Sequence, residues 1–369
     1  MRLVIPLTDL RAQYESIKNE IDLAVKEVIA ESDFILGKEV RLLEEEICGY
    51  LGVKYAVGVA SGTDALALAL IALGVEKNDE VVTTPFTFIA TSEAICRVGA
   101  RPVFCDIDYH TYNINPEKIE ERITSDTKAI LPVHLYGMPC EMDRVMSIAE
   151  EYNLKVIEDC AQAFGSEYKG KKVASFGDCG CLSFFPAKAL GSYGDGGMLV
   201  TNDEKIASMI KMLRNHGSTT KYYYGLHGFN SRLDTIQAAI LRVKLKYLDQ
   251  WISSRIRNAN LYAELLKDAD LICPGNNSDS IKHSFNYYTI RISKNRDLVQ
   301  KRLRENGIAA AIYYPLSLHV QEVCKDLGYK KGNFPVAEQA QEEVLSLPMY
   351  PELTEEQIKK IVKVIKEIV

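Results

Sequence analysis

The feature that most constrains this chain is the regular alternation of short apolar runs with helical patterns across residues 55–202. Five of the runs have the length and composition of strands, at 55–59, 80–84, 155–158, 182–185 and 197–201. Two more, at 101–105 and 128–132, are apolar runs with proline at their edges. Apolar runs separated by helices are typical of a mostly parallel sheet covered by helices on both faces. The sequence therefore predicts an α/β fold for this part of the chain.

The rest of the chain predicts a second, smaller region. Strand patterns occur at 285–292 and 308–312, and helical patterns at 10–30, 233–266, 297–306 and 355–369. A length of 369 residues is sufficient for two domains. We expect an N-terminal helix segment at 1–30 that packs on the small domain, a large domain at 31–250 and a small α+β domain at 251–369.

The composition argues against several classes of function. The net charge of −6 gives no support to a nucleic-acid partner or to an anionic membrane surface. No apolar run approaches the ~20 residues that a bilayer-spanning helix needs, and the apolar stretch at the N-terminus is too short for a signal peptide. These features predict a cytoplasmic protein without a membrane role.

The nine cysteines are an odd number and are scattered along the chain, which is typical of reduced thiols rather than a disulfide framework. Cys179 and Cys181 form a CxC pair, but no second pair and no nearby histidine complete the ligand spacing of a zinc site. We expect no metal.

Three predicted strands end in unusual polar residues, and open α/β sheets bind ligands at the carboxyl ends of their strands. The first of these ends is the run Ser61, Gly62, Thr63 between a strand and a helix. Gly62 lets the backbone approach a ligand, and the N–H groups of a helix N-terminus bind anions. Alternatively, Ser61 or Thr63 is only a helix cap.

The second strand end places Glu158 and Asp159 directly after an apolar strand. An aspartate at this position can face a pyridinium nitrogen and keep it protonated. Alternatively, one or both acids cap the following turn.

The third strand end places Lys188 among apolar residues and glycines, five residues after Ser183. Desolvation lowers the pKa of a lysine and makes its amine nucleophilic, and a serine can bond a phosphate. Alternatively, Lys188 is a surface lysine on a glycine-rich loop.

The order of these signals resembles the DegT/DnrJ/EryC1 family of sugar aminotransferases, which depend on pyridoxal phosphate (PLP). The resemblance extends over nearly the whole chain and is carried by residues 158–197, SGTDAL at 61–66, PFTFIAT at 85–91 and NSRLD at 230–234. It implies fold type I, in which a large domain with a mostly parallel mixed seven-stranded sheet is joined to a smaller α+β domain at the C-terminal end.

The resemblance also implies roles for individual residues. Lys188 matches the Schiff-base lysine that carries the proton of transamination, and Asp159 matches the partner of the pyridine nitrogen. The other matches are cofactor-binding: Gly62, Thr63 and Ser183 at the phosphate, Phe88 stacked on the ring, Gln162 at the phenolic oxygen, and Asn230 reaching the phosphate from a neighbouring subunit. The last role implies a homodimer with shared active sites.

Three of these residues have alternative interpretations that involve no cofactor. Phe88 can be a core residue, Gln162 a helix-surface amide and Asn230 a turn residue. Lysine at position 188, where some relatives have histidine and perform dehydration, implies transamination.

The runs at 132–137 and 183–188 are most similar to relatives acting on 3-keto sugars. The implied substrate is a dTDP-3-keto-6-deoxyhexose or a UDP-linked 3-keto N-acetylglucosamine or its uronic acid, with L-glutamate as amino donor. Arg232, Tyr313 and Tyr314 are candidates for substrate contact, although Arg232 can equally form a structural ion pair. Tyr222, Tyr223 and Tyr224 either stack on the substrate or lie in a dimer interface.

Three other functions compete with this one. One is amination of a 4-keto nucleotide sugar, and another is a non-catalytic regulator. The third, a nicotinamide oxidoreductase, requires GxGxxG after the first strand, and the sequence has no such arrangement.

Overall fold

The computed structural model of the chain describes residues 5–275 and 277–369; residues 1–4, the start of the predicted N-terminal segment, lie outside the described residues. The described part contains eleven α-helices: α1 (Leu10–Glu31), α2 (Lys38–Leu51), α3 (Gly62–Ala72), α4 (Ala90–Arg97), α5 (Met142–Glu151), α6 (Glu204–Leu213), α7 (Thr235–Leu245), α8 (Leu248–Leu266), α9 (Arg296–Glu305), α10 (Pro335–Glu343) and α11 (Glu355–Lys366). In this part of the chain, no helix is both long and apolar enough to cross a membrane.

The same residues form fourteen strands, most of them short: β1 (Tyr55–Val59), β2 (Glu80–Thr83), β3 (Arg101–Phe104), β4 (Thr127–Ile130), β5 (Lys155–Asp159), β6 (Glu167–Tyr168), β7 (Lys171–Lys172), β8 (Cys179–Ser183), β9 (Gly197–Thr201), β10 (Ser218–Thr220), β11 (Tyr223–Tyr224), β12 (Ile281–Lys282), β13 (Tyr288–Arg291) and β14 (Val344–Leu347).

Seven strands form the main sheet in the order β1-β9-β8-β5-β4-β2-β3. The pairs β2–β3, β2–β4, β4–β5 and β5–β8 are parallel, and β9 is antiparallel to both of its neighbours. The α/β class and the mostly parallel mixed sheet are therefore confirmed. Because six strands point the same way, their carboxyl ends meet along one edge of the sheet.

Helices cover both faces of this sheet. One apolar cluster joins alternate strand residues to α3, α4 and α6, and two others join the remaining strand residues to α2, α7 and α5. Residues 65–70 of α3 are buried all round, as expected for a helix enclosed within an α/β domain. This central helix begins at the edge where the strands end.

A second core lies toward the C-terminal end of the chain. There β13 pairs with β14 in antiparallel fashion, and α8, α9 and α11 contribute to one apolar cluster with this small sheet. The N-terminal segment contacts both regions of the protein. The N–H of Ile5 donates to Gly307 O and the N–H of Met349 donates to Leu7 O, whereas α1 packs on α7.

Two predicted elements differ from those in the structure. The helical pattern at 233–266 is two helices, separated at Lys246 and Tyr247 by a tight turn in which the Tyr247 N–H donates to Lys244 O. The apolar periodicity continues through this turn, so the sequence pattern does not predict the break between the two helices. The strand expected at 308–312 is only two isolated bridges, Ile308 to Ile5 and Ala311 to Ser346, because its ends pair with different partners.

Candidate active site

A cavity of about 400 Å³ opens at the carboxyl edge of the sheet, within the usual size range of ligand pockets. Nine of the eleven predicted site residues line it: Gly62, Thr63, Phe88, Asp159, Gln162, Ser183, Lys188, Tyr313 and Tyr314. The structure thus brings together residues as far apart in the sequence as Gly62 and Tyr314.

Asp159 ends strand β5 and is only 5% exposed. Its Oδ1 accepts the Ala161 N–H at 3.1 Å, and its Oδ2 accepts the Thr91 hydroxyl at 2.9 Å. Burial raises the pKa of Asp159, while these two hydrogen bonds and the charge of Lys188 act in the opposite direction. The carboxylate is therefore held from two sides at the wall of the cavity.

The preceding acid of β5, Glu158, is fully buried and has a different environment. Its carboxylate lies 3.2 Å from His134 Nε2 and accepts the N–H groups of Ala174 at 2.9 Å, Phe176 at 2.7 Å and Gly177 at 2.9 Å. Glu158 thus organises the segment at 174–177. The capping alternative holds for Asp159, whose Oδ1 accepts the Ala161 N–H in the turn after β5, and Asp159 also lines the cavity.

His134, Glu158 and Cys160 bring possible metal-ligand atoms within 4.8 Å of one another, but those of His134 and Glu158 are already hydrogen-bonded. His134 Nδ1 accepts the Cys140 N–H at 2.9 Å, so its Nε2 carries the proton that faces Glu158. Burial raises the pKa of Cys160 well above its usual value and keeps the thiol neutral. His134 and Glu158 therefore belong to an internal hydrogen-bonded network, beside which the neutral Cys160 thiol is packed.

Lys188 lies in a tight turn after β8. The Lys188 N–H donates to Phe185 O at 2.8 Å, and the next N–H, that of Ala189, donates to Asn286 Oδ1 at 3.1 Å. Burial disfavours the ammonium form and lowers the pKa of Lys188 to about 8, with Asp159 opposing the shift. The side chain lines the cavity, so the surface-lysine alternative is wrong.

The first turn of α3 forms a cup against Ser183. The Ser61 hydroxyl caps the helix by accepting the Asp64 N–H at 3.1 Å, so the cap alternative is correct for Ser61. Gly62 and Thr63 line the cavity beside this cap. A Cβ on Gly62 would lie 2.7 Å from Ser183 Cβ, so only glycine permits this close approach.

Gln162 has a defined amide orientation. Its Oε1 accepts the Tyr136 N–H at 2.8 Å, and its Nε2 donates to the Tyr314 hydroxyl at 3.0 Å. The side chain is 5% exposed and lies outside any helix, which contradicts the helix-surface alternative. Gln162 therefore presents N–H donors, not its carbonyl oxygen, to the cavity.

Aromatic side chains form a further part of the cavity wall. Phe88 is 54% exposed rather than a core residue, and its ring centroid lies 6.1 Å from that of Tyr314. Tyr287, which sequence reasoning did not identify, lines the cavity and packs on Tyr313 with ring centroids 4.6 Å apart. The cavity also contains Thr91, which was part of the run at 85–91 but had no predicted role.

Asn230 and Arg232 do not line the cavity of their own chain. Asn230 is exposed and forms an isolated bridge with Asn215, and Arg232 Nη1 is 3.4 Å from Asn215 Oδ1. The residue between them, Ser231, donates its hydroxyl to Asp64 Oδ2 at 2.7 Å, which fixes this segment near the start of α3.

Large apolar side chains are exposed on this part of the surface. Tyr222, Tyr223 and Tyr224 are 73%, 75% and 62% exposed on the short β10–β11 hairpin, and Phe185 and Phe229 are also exposed. Exposed aromatic groups of this number are typical of a surface that meets a partner.

Comparison with known proteins shows which proteins this chain is similar to. The model of the DegT/DnrJ/EryC1/StrS aminotransferase family matches residues 15–366. A pleiotropic regulatory protein of Geobacillus stearothermophilus is 49% identical over 98% of both chains. The UDP-N-acetyl-3-dehydro-alpha-D-glucosamine 3-aminotransferase of Acidithiobacillus ferrooxidans is 48% identical over 98% of this chain and 97% of its own length.

Among solved structures, the chain is similar to DesV of S. venezuelae, crystallised in complex with a ketimine intermediate. The two have a TM-score of 0.96 and 36% sequence identity, and the match covers 100% of this chain and 98% of the other. The similarity therefore includes both regions of the protein and not only the main sheet.

Proposed function

Because the chain belongs to the DegT/DnrJ/EryC1/StrS aminotransferase family, we propose that it aminates the 3-keto carbon of a nucleotide-linked hexose with L-glutamate as amino donor. Aminotransferases of this family use PLP. The observation that carries the proposal is that the Lys188 amine and the Asp159 carboxylate line one cavity, beside an anion cup at the start of α3.

The described residues fit this cofactor. Gly62 and Ser183 form a cradle that a Cβ would fill, and a phosphate fits a helix N-terminus of this kind. Asp159 has an acceptor oxygen for a ring N–H, and Gln162 presents a donor for a phenolate oxygen. Phe88 offers an exposed aromatic face at the cavity.

When bound, PLP supplies an aldehyde that combines with amines and a cationic ring that withdraws electrons from the carbon bearing the reacting amine. Lys188 Nζ, with a pKa of about 8, accepts the proton from the α-carbon of glutamate. In the second half-reaction the same nitrogen delivers a proton to the sugar carbon that receives the amine. Asp159 keeps the ring cationic during both steps.

A homodimer completes the site in this proposal. Asn230 lies outside the cavity of its own chain and is exposed, as is the aromatic hairpin at 222–224. A second copy that covers this surface can bring its Asn230 to the phosphate cup of the first.

The choice of a 3-keto sugar is supported by the relative from A. ferrooxidans, whose name describes amination at that carbon of a UDP-linked N-acetylglucosamine. We therefore propose the UDP-linked substrate first and the dTDP-linked 3-keto-6-deoxyhexose second. Tyr287, Tyr313 and Tyr314 form the wall on which the sugar or base would pack.

The cofactor part of the proposal is tested by colour. The purified protein soaked in PLP should absorb in the visible, and borohydride should remove the band. Lys188→Ala should be colourless after dialysis, with Lys155→Ala, on an exposed lysine, as the matched control. A wild-type protein with no visible band would contradict the proposal.

The substrate is tested with a panel of UDP- and dTDP-linked 3-keto and 4-keto sugars, each incubated with glutamate and analysed by mass spectrometry. Amination of the 3-keto sugars, and of the UDP-linked one most rapidly, is the expected result. Equal amination of 4-keto sugars would contradict the assignment of the carbon.

A further inference from the structure

Two threonines, Thr87 in the loop before α4 and Thr91 in its first turn, connect this segment to the acid in the cavity. The Thr91 hydroxyl lies 2.9 Å from Asp159 Oδ2, and the Thr87 hydroxyl lies 3.2 Å from that of Thr91. Thr87 and Thr91 are 3% and 1% exposed, and both line the cavity. The proposed chemistry assigns neither of them a role.

The direction of these hydrogen bonds follows from the chemistry of the groups. An ionised carboxylate only accepts, so the single hydroxyl proton of Thr91 is directed to Asp159. The Thr91 oxygen can then only accept from Thr87, which must donate. The result is a directed chain from Thr87 through Thr91 to the carboxylate, and hydroxyls in such a chain polarise one another.

We propose that Thr91 is a positioning residue for the transamination reaction, and that it holds Asp159 ionised and aimed at the cofactor ring with support from Thr87. The inference rests on the proposed role of Asp159. Oδ1 is held by the Ala161 N–H and Oδ2 by Thr91, so the rotation of the carboxylate is fixed from two elements. Each oxygen keeps a further lone pair for the cavity.

Removal of the Thr91 hydroxyl should change the pKa of Asp159, and with it the pKa of the nitrogen at Lys188, in a defined direction. Burial raises the pKa of Asp159, and the hydrogen bond from Thr91 opposes that effect. Without the hydroxyl, the carboxylate becomes more basic and draws the shared proton away from the ring nitrogen. The ring then loses positive charge, and a nearby cationic nitrogen at Lys188 holds its proton to higher pH.

The test uses two substitutions of similar size. Thr91→Val keeps the branched shape and removes the hydroxyl, whereas Thr91→Ser keeps the hydroxyl and removes the methyl group. Thr91→Val should move the pH midpoint of the visible cofactor band upward and lower kcat about tenfold or more, the range expected for a hydrogen bond to a charged group. The KM for glutamate should change much less.

Thr91→Ser should remain nearer to wild type in both measurements, and Thr87→Val should shift the midpoint in the same direction by less. Thermal unfolding of each variant shows whether it is folded. A folded Thr91→Val protein with the wild-type midpoint and kcat would overturn the inference, as would a Thr91→Ser protein as impaired as Thr91→Val.

These failures differ from a failure of the proposed function. If the wild-type protein had no visible band, the cofactor assignment itself would be wrong. If the wild-type protein had the band and Thr91→Val titrated identically, only the role of Thr91 would be lost.

Discussion

At the scale of single residues, burial in one cavity shifts the amine and the acid toward their neutral forms. The pKa of Lys188 falls to about 8, and the pKa of Asp159 rises, because both charges lose solvation there. Their mutual attraction only partly offsets this loss. The arrangement favours an amine that reacts near neutral pH.

The pH dependence of Lys188 follows from this shift. Only the free amine attacks an aldehyde, so the rate at which the cofactor-free protein combines with added PLP should rise with pH, with a midpoint at about 8, and then level off. Stopped-flow absorbance from about pH 6 to about pH 11 measures this midpoint. A midpoint near the ordinary lysine value of about 10.4 would show that burial does not tune the amine.

The sequence was sufficient to identify the residues with distinctive chemistry but not their partners. Asp159 and Lys188 follow strands that sequence patterns predict, and Ser183 lies within one. In contrast, the bond between Thr91 and Asp159 spans 68 positions and that between Gln162 and Tyr314 spans 152. Such contacts depend on how elements pack, which a local pattern does not contain.

At the scale of elements, apolar runs predicted the main sheet well because most positions of its strands are buried. The same signal was insufficient where the backbone turns without a change in pattern, as at Tyr247 between α7 and α8. It also predicted a strand at 308–312, where the apolar residues form only isolated bridges to two different neighbours. The helices α2 and α10 were not predicted.

The C-terminal helix α11 has a capping box that can be tested directly. The Thr354 hydroxyl accepts the Gln357 N–H, and the Gln357 side chain accepts the Thr354 N–H at 2.9 Å. Thr354→Ala should lower the free energy of unfolding by about 1 kcal/mol. Urea unfolding at fixed protein concentration measures the change.

Thr354→Ser is the matched control, since it keeps the capping oxygen and should lose much less stability. An alanine variant as stable as wild type would show that α11 is held by its packing in the C-terminal core alone.

At the scale of the whole molecule, contacts from the C-terminal region reach the large sheet. Arg291 of β13 donates to Tyr109 O at 2.7 Å, and its guanidinium lies 3.7 Å from the Tyr109 ring centroid. Asp106, which follows β3, accepts the N–H groups of Val336 and Ala337 at the start of α10. The domain limits at 31–250 and 251–369 stay a prediction.

The proposed sharing of sites between subunits predicts complementation. A hybrid dimer of Lys188→Ala and Asn230→Ala chains has one site with both changes and one with neither. Co-expression of the two, followed by purification with two tags, should therefore restore activity relative to either variant alone.

The control pair is Lys188→Ala with Gln162→Ala, two residues that line the same cavity within one chain. Each site of that hybrid contains one change, so no activity should return. Restoration in the control pair, or none in the test pair, would contradict a site shared through Asn230.

The placement of two adjacent acids on opposite faces of β5 limits how the gene for this protein can change length. Glu158 holds a turn and Asp159 faces the cavity, and adding or removing one codon within the strand would exchange their faces. Both the turn and the cavity would then receive the wrong group. Insertion or deletion of one residue within β5 should therefore abolish activity.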